Sequence, residues 1–361
     1  MPDAPDDFAG SPPKPSQAEN REVPGVATRL DVYGLTIEID GDSPELVDRI
    51  WRDYAWFAAP SPGLAPVDQA DVTVRVERGE PDYDSLGSLQ ASFTTPRNAV
   101  YEDGARRIVD YSGRALLIRD AAARSAVIRG TDEHLVHEAG YQFLLSRIGQ
   151  HVEQRWLPRL HALAFSGPAG AVAVMLPSGG GKSRLALRAI EDDAVGLLSE
   201  DSPLVDRRGR LHPFPLRVGL NPGDEDGLPA DRIRRLERME FPPKLLLDVD
   251  HFADRIERTP QPARHIVVGR RSLSRGPRLE EVPRRTAVPV LFREAVVGVG
   301  LYQGMEFVLQ RGTRDVLGQM RPAAIRALCC AAALARTRVW SLDCGRDGER
   351  NWEAVRSLLD R

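Results

Sequence analysis

The chain has 361 residues, of which 42% are hydrophobic and 28% are charged, a composition that suits about two soluble domains. Its 49 basic residues nearly balance its 52 acidic residues, so the net charge of −3 predicts no general affinity for nucleic acid or for an anionic membrane. No run approaches the ~20 apolar residues of a membrane span, and the first residues lack the regions of a signal peptide. Three cysteines are too few for a disulfide framework or a zinc site. These features predict a cytoplasmic protein.

The first part of the chain predicts a leader and a small α+β module. Residues 1–25 contain six prolines and few large apolar residues, which is typical of a disordered segment. The module is expected over residues 26–155, with partner or substrate recognition as its role, because it carries no catalytic signature. Its strands are predicted at residues 30–33, 35–39, 72–76, 108–111, 115–118 and 126–128, and its helices at 45–57 and 133–152.

A second domain is expected over residues 156–361. An apolar strand at 171–175 is followed by a glycine loop, a helix at 184–190 and a second apolar strand at 194–198. This order is typical of the nucleotide-binding half of an α/β fold. Further strands are predicted at 245–249, 266–268, 296–299 and 339–342, and further helices at 322–335 and 350–359.

The glycine loop has the residue types of a phosphate site. Its sequence, Leu-Pro-Ser-Gly-Gly-Gly-Lys-Ser over residues 176–183, keeps the second half of the pattern G-x-x-x-x-G-K-[ST] but has Leu176 at the first glycine position. Successive glycine N–H groups at a helix N-terminus can surround phosphate oxygens, Lys182 can reach the β- and γ-phosphates, and Ser183 can bind Mg²⁺. Only three of the 49 basic residues are lysines, so an incidental lysine in a plain glycine turn is the weaker alternative.

An acid pair follows the strand at 194–198. Glu200 and Asp201 could lie at the edge of the sheet that carries the loop, where one would bind the metal ion and the other would accept a hydroxyl proton. The alternative is a solvated turn before Pro203. Arg217, two residues after Pro215, and Lys244, directly after Pro243, are candidates to clamp phosphate, with surface charge as the alternative.

Together, these residues resemble the HPr kinase/phosphorylase superfamily, and in particular its divergent HPr kinase-like members beside peptide natural-product clusters such as those of lasso peptides. The resemblance covers residues 161–206 and is carried by a histidine, the glycine loop and the acid pair, with His161 lying 21 residues before Lys182. It implies a P-loop HPr kinase-like C-terminal domain after a smaller α+β N-terminal domain. It also implies ATP- and Mg²⁺-dependent transfer of the γ-phosphate to a serine hydroxyl of a peptide, protein or small molecule, and a homo-oligomer.

The resemblance also assigns roles to individual residues. His161, Lys182 and Asp201 would be catalytic, with Asp201 as the base on the serine. Ser183, Glu200 and Asp201 would hold the metal ion. The nucleotide would be bound by the loop and the start of the helix, namely Ser178, Gly179, Gly180, Gly181, Lys182, Ser183 and Arg184.

Several residues depart from the family pattern. Leu176 replaces the first glycine, Arg184 stands where the best-known members have an acid, and Glu200 replaces an aspartate. Two alternatives therefore remain open at the level of sequence: a nucleotide-dependent binding or switch protein without phosphotransfer, and a structural relative that no longer binds nucleotide.

Overall fold

A computed structural model describes residues 28–58, 70–177, 179–221, 223–238, 242–297 and 313–361 of the chain. Over these residues the protein is a mixed α/β structure with several sheets. The leader expected at residues 1–25 lies outside the described residues. None of the described helices is long and apolar enough to cross a membrane.

The first sheet has eight strands, namely β1 (Thr28–Val32), β2 (Leu35–Gly41), β3 (Val72–Arg78), β4 (Ala91–Thr94), β5 (Ala99–Asp103), β6 (Arg106–Asp110), β7 (Ala115–Asp120) and β8 (Ser125–Gly130). Their order in the sheet is β1-β2-β3-β8-β7-β6-β5-β4. Helices α1 (Pro44–Asp53) and α2 (Glu133–Gln154) pack on one face, where Ile50, Val74 and Phe143 belong to one buried core. Side-chain caps start both helices, because Ser43 accepts from the Leu46 N–H at 3.3 Å and Asp132 accepts from the His134 N–H at 3.1 Å.

The second sheet carries the glycine loop. Its strands are β9 (Leu163–Gly167), β10 (Gly170–Met175), β11 (Gly196–Ser199), β12 (Leu204–Val205), β13 (Arg210–His212), β17 (Gln261–Arg271), β18 (Arg278–Val282) and β19 (Arg338–Cys344). Strand β10 pairs in parallel with β17 and antiparallel with β9, and β11 pairs with the other edge of β9. Helices α3 (Lys182–Glu191) and α6 (Gly348–Arg356) contribute to the core on one face, and α5 (Thr313–Arg336) contributes to the core on the other.

A small third sheet joins the two larger ones. It consists of β14 (Val218–Leu220), β15 (Ile233–Leu236) and β16 (Lys244–Leu247) in the order β14-β16-β15. Arg234 of β15 reaches the buried carboxylate of Asp53 on α1 at 2.8 Å, and its Nε lies 2.5 Å from Asp248. Because Asp53 is fully buried, this ion pair fixes the third sheet against the first module.

Most of the predicted elements are confirmed, and one is wrong. The strand expected at 296–299 is not formed in its described part, because Val296 and Val297 belong to a π-helical segment, Phe292–Val297, that follows the short helix α4 (Val288–Leu291). The valines favour a strand locally, but Leu291 and Ala295 pack into the core beside α5, and this tertiary contact overrides the local preference. Strand β9 was not predicted, although it supports both β10 and β11.

Candidate functional site

The glycine loop connects the end of β10 to the start of α3, and its glycines have distinct roles. Gly179 and Gly181 have φ angles of 70° and 105°, which L side chains rarely adopt, and no described residue lies within 4 Å of where a Cβ atom would be at either position. Gly180 instead lies tight against the chain, since its N–H donates to the Pro177 carbonyl at 2.8 Å and a Cβ atom would lie 2.7 Å from that oxygen. The loop therefore depends on glycine for its backbone conformation at two positions and for close packing at the third. Ser178 lies outside the described residues.

Leu176 occupies the first glycine position without strain. Its side chain is buried in the core formed with α3 and α6, and it has no positive φ angle. The neighbouring strand β17 makes room for it at Gly269, where a Cβ atom would lie 2.4 Å from Leu176 Cδ2. A glycine on the adjacent strand thus allows a large side chain where the phosphate-loop pattern has its first glycine.

Three candidate residues meet at the start of α3. Lys182 Nζ lies 2.6 Å from His161 Nε2 and 3.1 Å from Asp201 Oδ1, and His161 Nε2 lies 3.1 Å from that same oxygen. The main chain fixes the arrangement, because the Ala162 N–H donates to the Asp201 carbonyl at 3.1 Å. The Asp201 side chain is 43% exposed while Lys182 and His161 are largely buried, so the carboxylate is the member that an incoming group can reach.

Glu294 is a further member of the site that the sequence did not indicate. Its carboxylate lies 2.6 Å from His161 Nδ1 and is almost completely buried. A carboxylate can only accept at this position, so Nδ1 of His161 is the donor and Nε2 is left to face Lys182 and Asp201. Glu294 therefore fixes the orientation of the imidazole ring.

Glu200 and Ser183 form the other half of the site. The Ser183 hydroxyl donates to Glu200 Oε1 at 2.8 Å. Burial, and then the neighbouring charge of Asp201, raises the pKa of Glu200 to about 7. The Ser183 hydrogen bond and the charges of Lys244 and Lys182 act in the opposite direction but do not outweigh burial. The interactions that favour the ionised form of Glu200 are therefore weaker than the cost of burying its charge.

The electrostatics differ on the other side of the acid pair. The surrounding protein removes part of the solvation of the Asp201 carboxylate, which opposes its ionised form, but hydrogen bonding to His161 and the charge of Lys182 hold its pKa below the ordinary range. Burial also opposes the charged form of His161, but the Asp201 hydrogen bond and charge, with the Glu294 contact, raise its pKa. The two adjacent acids thus have pKa values displaced in opposite directions, which is a common feature of functional sites.

The donors at this edge of the sheet fit a magnesium ion. Ser183, Glu200 and Asp201 offer only oxygen atoms, and Mg²⁺ is commonly held by one or two carboxylates together with water and substrate phosphates. Burying the ionised carboxylate of Glu200 is costly, and this cost raises its pKa. A cation beside Glu200 would offset that cost. Among the described residues, no group of three or more histidines, cysteines and acids is arranged to hold a metal ion by itself.

The remaining basic candidates lie in three different environments. Arg184 is exposed and pairs with Asp224 at 2.9 Å. Arg217, a candidate phosphate clamp, is instead buried against Asp53 with its guanidinium carbon 3.8 Å from the centre of the Tyr141 ring, so its role is structural. Lys244 lies across Gly219 of β14 and acts electrostatically on Glu200.

Comparisons with known proteins give no assignment. None of the family models matches the chain, and no curated protein matches it in sequence. A functional proposal therefore rests on the motif residues and on the geometry around Lys182.

Proposed function

We propose that the protein is an HPr kinase-like enzyme that transfers the γ-phosphate of ATP, with Mg²⁺, to a serine hydroxyl of a peptide, a protein or a small molecule. The observation that carries the proposal is the convergence of Lys182, His161 and Asp201 at the end of a glycine loop that leads directly into helix α3. The cytoplasmic location and the P-loop kinase-like domain belong to the same proposal.

The loop would bind the nucleotide through its main chain. Gly179 and Gly181, which have positive φ angles and no side chains, lie directly before the start of α3, and the N-terminus of a helix favours an anion. Lys182, the first residue of α3, lies beside the loop and close to the Leu176 carbonyl. Its ammonium group can therefore turn from Asp201 to a phosphate oxygen over a short distance.

Ser183 and Glu200, with Asp201, would hold the metal ion. When bound, Mg²⁺ neutralises the charge of the β- and γ-phosphates. Glu200 would be ionised in that state, although its pKa of about 7 leaves it partly protonated at neutral pH in the free protein.

Asp201 would act as the base on the acceptor. Its low pKa keeps it ionised, and its exposed side chain can accept the proton of a serine hydroxyl. His161, held by Glu294, would orient Asp201 through Nε2. In the transfer, the serine oxygen bonds to the γ-phosphorus, the bond between that phosphorus and the β–γ bridging oxygen breaks, the serine proton passes to Asp201, and ADP leaves.

The first test is nucleotide binding by calorimetry, with ATP and ADP, each with and without Mg²⁺. Lys182→Ala removes the loop ammonium, whereas Arg188→Ala removes an exposed charge from the same helix and serves as the matched control. We expect Lys182→Ala to weaken binding by at least about tenfold and Arg188→Ala to leave it unchanged. Absence of nucleotide binding by the unaltered protein would refute the proposal.

The second test separates a kinase from a nucleotide switch. γ-Labelled ATP is incubated with a degenerate peptide library that has a fixed serine, and with free serine as a small-molecule acceptor. Label transferred to serine supports the kinase. Nucleotide binding that depends on Lys182 without any transfer or turnover would favour the switch.

A further inference from the structure

A hollow of about 330 Å³ lies in the first module, where helix α2 crosses the ends of three strands. It is remote in sequence from the glycine loop and takes no part in the proposed phosphotransfer. Its lining includes three arginines, two aspartates and one aromatic ring: Arg119, Arg124, Arg147, Asp71, Asp120 and Phe143.

The arginine of β7 faces inward. Ala115, Leu117 and Arg119 are every second residue of β7, so their side chains leave the sheet on the same face. Ala115 and Leu117 belong to the core that also contains residues of α2, so Arg119 lies on the face that carries this helix. In the described part of the chain, Arg119 forms no ion pair or hydrogen bond. Its cross-strand partner is Arg107, which is buried and pairs with Glu102 at 2.6 Å.

The two acids of the hollow are held by other groups. Asp71 accepts from the Thr36 N–H at 3.0 Å and from the Thr36 hydroxyl at 2.8 Å. Asp120 accepts from the N–H groups of Ala122 and Ala123 at 2.8 and 2.9 Å. The carboxylate of Asp120 thus stabilises the turn after β7, and that of Asp71 joins the start of β3 to β2. Arg124, which helps to lower the pKa of Asp71, lies with them.

The inner arginines carry positive charge into a poorly solvated place. Burial, followed by the charges of Arg119 and Arg107, lowers the pKa of Arg147 to about 9. Burial and the charge of Arg107 likewise lower the pKa of Arg119. Glu102 acts on the pKa of Arg119 in the opposite direction, but it is already paired with Arg107, so an anion in the hollow would compensate the charge of Arg119.

We propose that this hollow is a binding site for a small ligand that bears a phosphate or carboxylate group, held by Arg119 and Arg147. A guanidinium fork presents parallel N–H donors that match the oxygens of either group. The Phe143 ring, with the Arg147 guanidinium carbon 5.8 Å from its centre, supplies an apolar wall for the remainder of the ligand. The volume suits a metabolite-sized molecule.

The test uses the full chain with Lys182→Ala, so that the glycine loop does not contribute to anion binding. Calorimetry and thermal unfolding are measured with sodium phosphate, sodium pyrophosphate and sodium citrate, against sodium chloride at equal ionic strength. The phosphate compounds and citrate distinguish the two ligand chemistries. We expect at least one of these anions to bind and to raise the unfolding midpoint above its value in chloride.

Variants locate the site. Arg119→Gln should weaken anion binding by at least about tenfold, and Arg119→Lys should restore part of it. Arg114→Gln, an exposed arginine at the other end of β7, is the matched control and should leave the affinity unchanged.

Two outcomes would overturn the proposal. One is that no anion binds or stabilises the protein beyond chloride. The other is that Arg119→Gln lowers the unfolding midpoint equally with and without the anion and leaves the affinity unchanged, as a purely structural arginine would. If Arg119→Gln does not fold, Arg147→Gln takes its place with the same expected loss of affinity.

Discussion

Lys182 Nζ and His161 Nε2 lie 2.6 Å apart, and both are 3.1 Å from the same carboxylate oxygen of Asp201. The β9–β10 hairpin explains how residues 21 positions apart come together. Leu163 pairs with Val174, and the register continued by two residues brings His161 level with Leu176, where the glycine loop starts. The spacing of 21 residues between His161 and Lys182 is therefore set by the β9–β10 hairpin together with the glycine loop.

Replacing Asp201 should separate binding from chemistry. Asp201→Asn keeps the size of the side chain but removes the group that would accept the serine proton. We expect phosphotransfer to fall by about 10²-fold or more, the usual range for a lost general base, with the affinity for ADP in the absence of Mg²⁺ changed by less than about threefold. Transfer is followed with γ-labelled ATP, and ADP binding is followed by calorimetry.

The matched control for that experiment is Asp193→Asn. Asp193 is a highly exposed acid that pairs with Arg255, and it lies in the turn between α3 and β11. Its replacement should leave both binding and transfer unchanged. Equal transfer rates for Asp201→Asn and the unaltered protein would show that Asp201 is not the base.

Replacing Glu294 should lower the pKa of His161. Glu294→Gln removes the carboxylate at Nδ1, which is one of the contacts that raise this pKa above its ordinary value. A histidine whose folded pKa is raised adds stability that is fully present below its unfolded pKa of about 6.5 and is lost as the pH rises through the folded value. We therefore expect the unfolding free energy of Glu294→Gln to depend less on pH in that window.

The measurement is an NMR titration of the His161 ring, supported by urea unfolding at a series of pH values. His265, which accepts a hydrogen bond from the Trp340 ring N–H at 3.0 Å, is the internal control, and its titration should be the same in both proteins. A His161 pKa that is the same in both proteins would mean that Glu294 does not act on the ring.

Replacing Glu200 should remove a carboxyl group whose ionisation destabilises the folded protein. Its folded pKa of about 7 is above the unfolded value, so the protonated form is favoured by folding, and this contribution is lost as the pH rises from about 4.5 through 7. Glu200→Gln cannot ionise, and we expect it to be more stable than the unaltered protein at pH 8 and to show a flatter pH dependence. Urea unfolding at pH 5 and pH 8 tests both expectations.

The same residue predicts a proton linkage. If Glu200 helps to hold Mg²⁺, binding of ADP with Mg²⁺ at pH 7 should release part of a proton, because the metal requires the ionised carboxylate. Calorimetry in two buffers of different ionisation enthalpy measures this release. Glu200→Gln should abolish it, and an unchanged release would place the linked proton on another group.

The sequence predicted the local parts of the site better than its long-range parts. An apolar run, a glycine loop and a helix are adjacent in the chain, so β10, the loop and α3 follow from short-range preferences. The acid pair was placed because it directly follows a strand. Glu294 could not be predicted in this way, because it is 133 residues from His161 in the sequence. It also lies on a segment whose valines favour a strand.

The same limit applies to the arginines and to the sheet order. The sequence around Arg217 does not distinguish a phosphate clamp from a buried partner of Asp53, because that carboxylate belongs to a different module. Strand β9 lies between β10 and β11, which sequence order alone does not reveal, since pairing depends on the register of the whole sheet.

The contact between Leu176 and Gly269 predicts coupling between β17 and the glycine loop. A Cβ atom at residue 269 would lie 2.4 Å from Leu176 Cδ2, so Gly269→Ala must displace the side chain at the start of the loop. We expect it to cost about 1–3 kcal/mol of unfolding free energy, as overpacked cores do, and to weaken ADP binding. Leu176→Ala leaves a cavity instead, with a cost of about 2–5 kcal/mol.

The double variant decides whether the two residues act on each other. With alanine at both positions the added methyl group occupies space that the leucine has vacated, so the combined loss of unfolding free energy should be smaller than the sum of the single losses. ADP affinity should recover in parallel. Gly348→Ala, where no described residue lies within 4 Å of the added Cβ atom, is the control for adding a methyl group to a glycine and should lower neither quantity. Strict additivity of the two single variants would mean that β17 does not position the loop through Leu176.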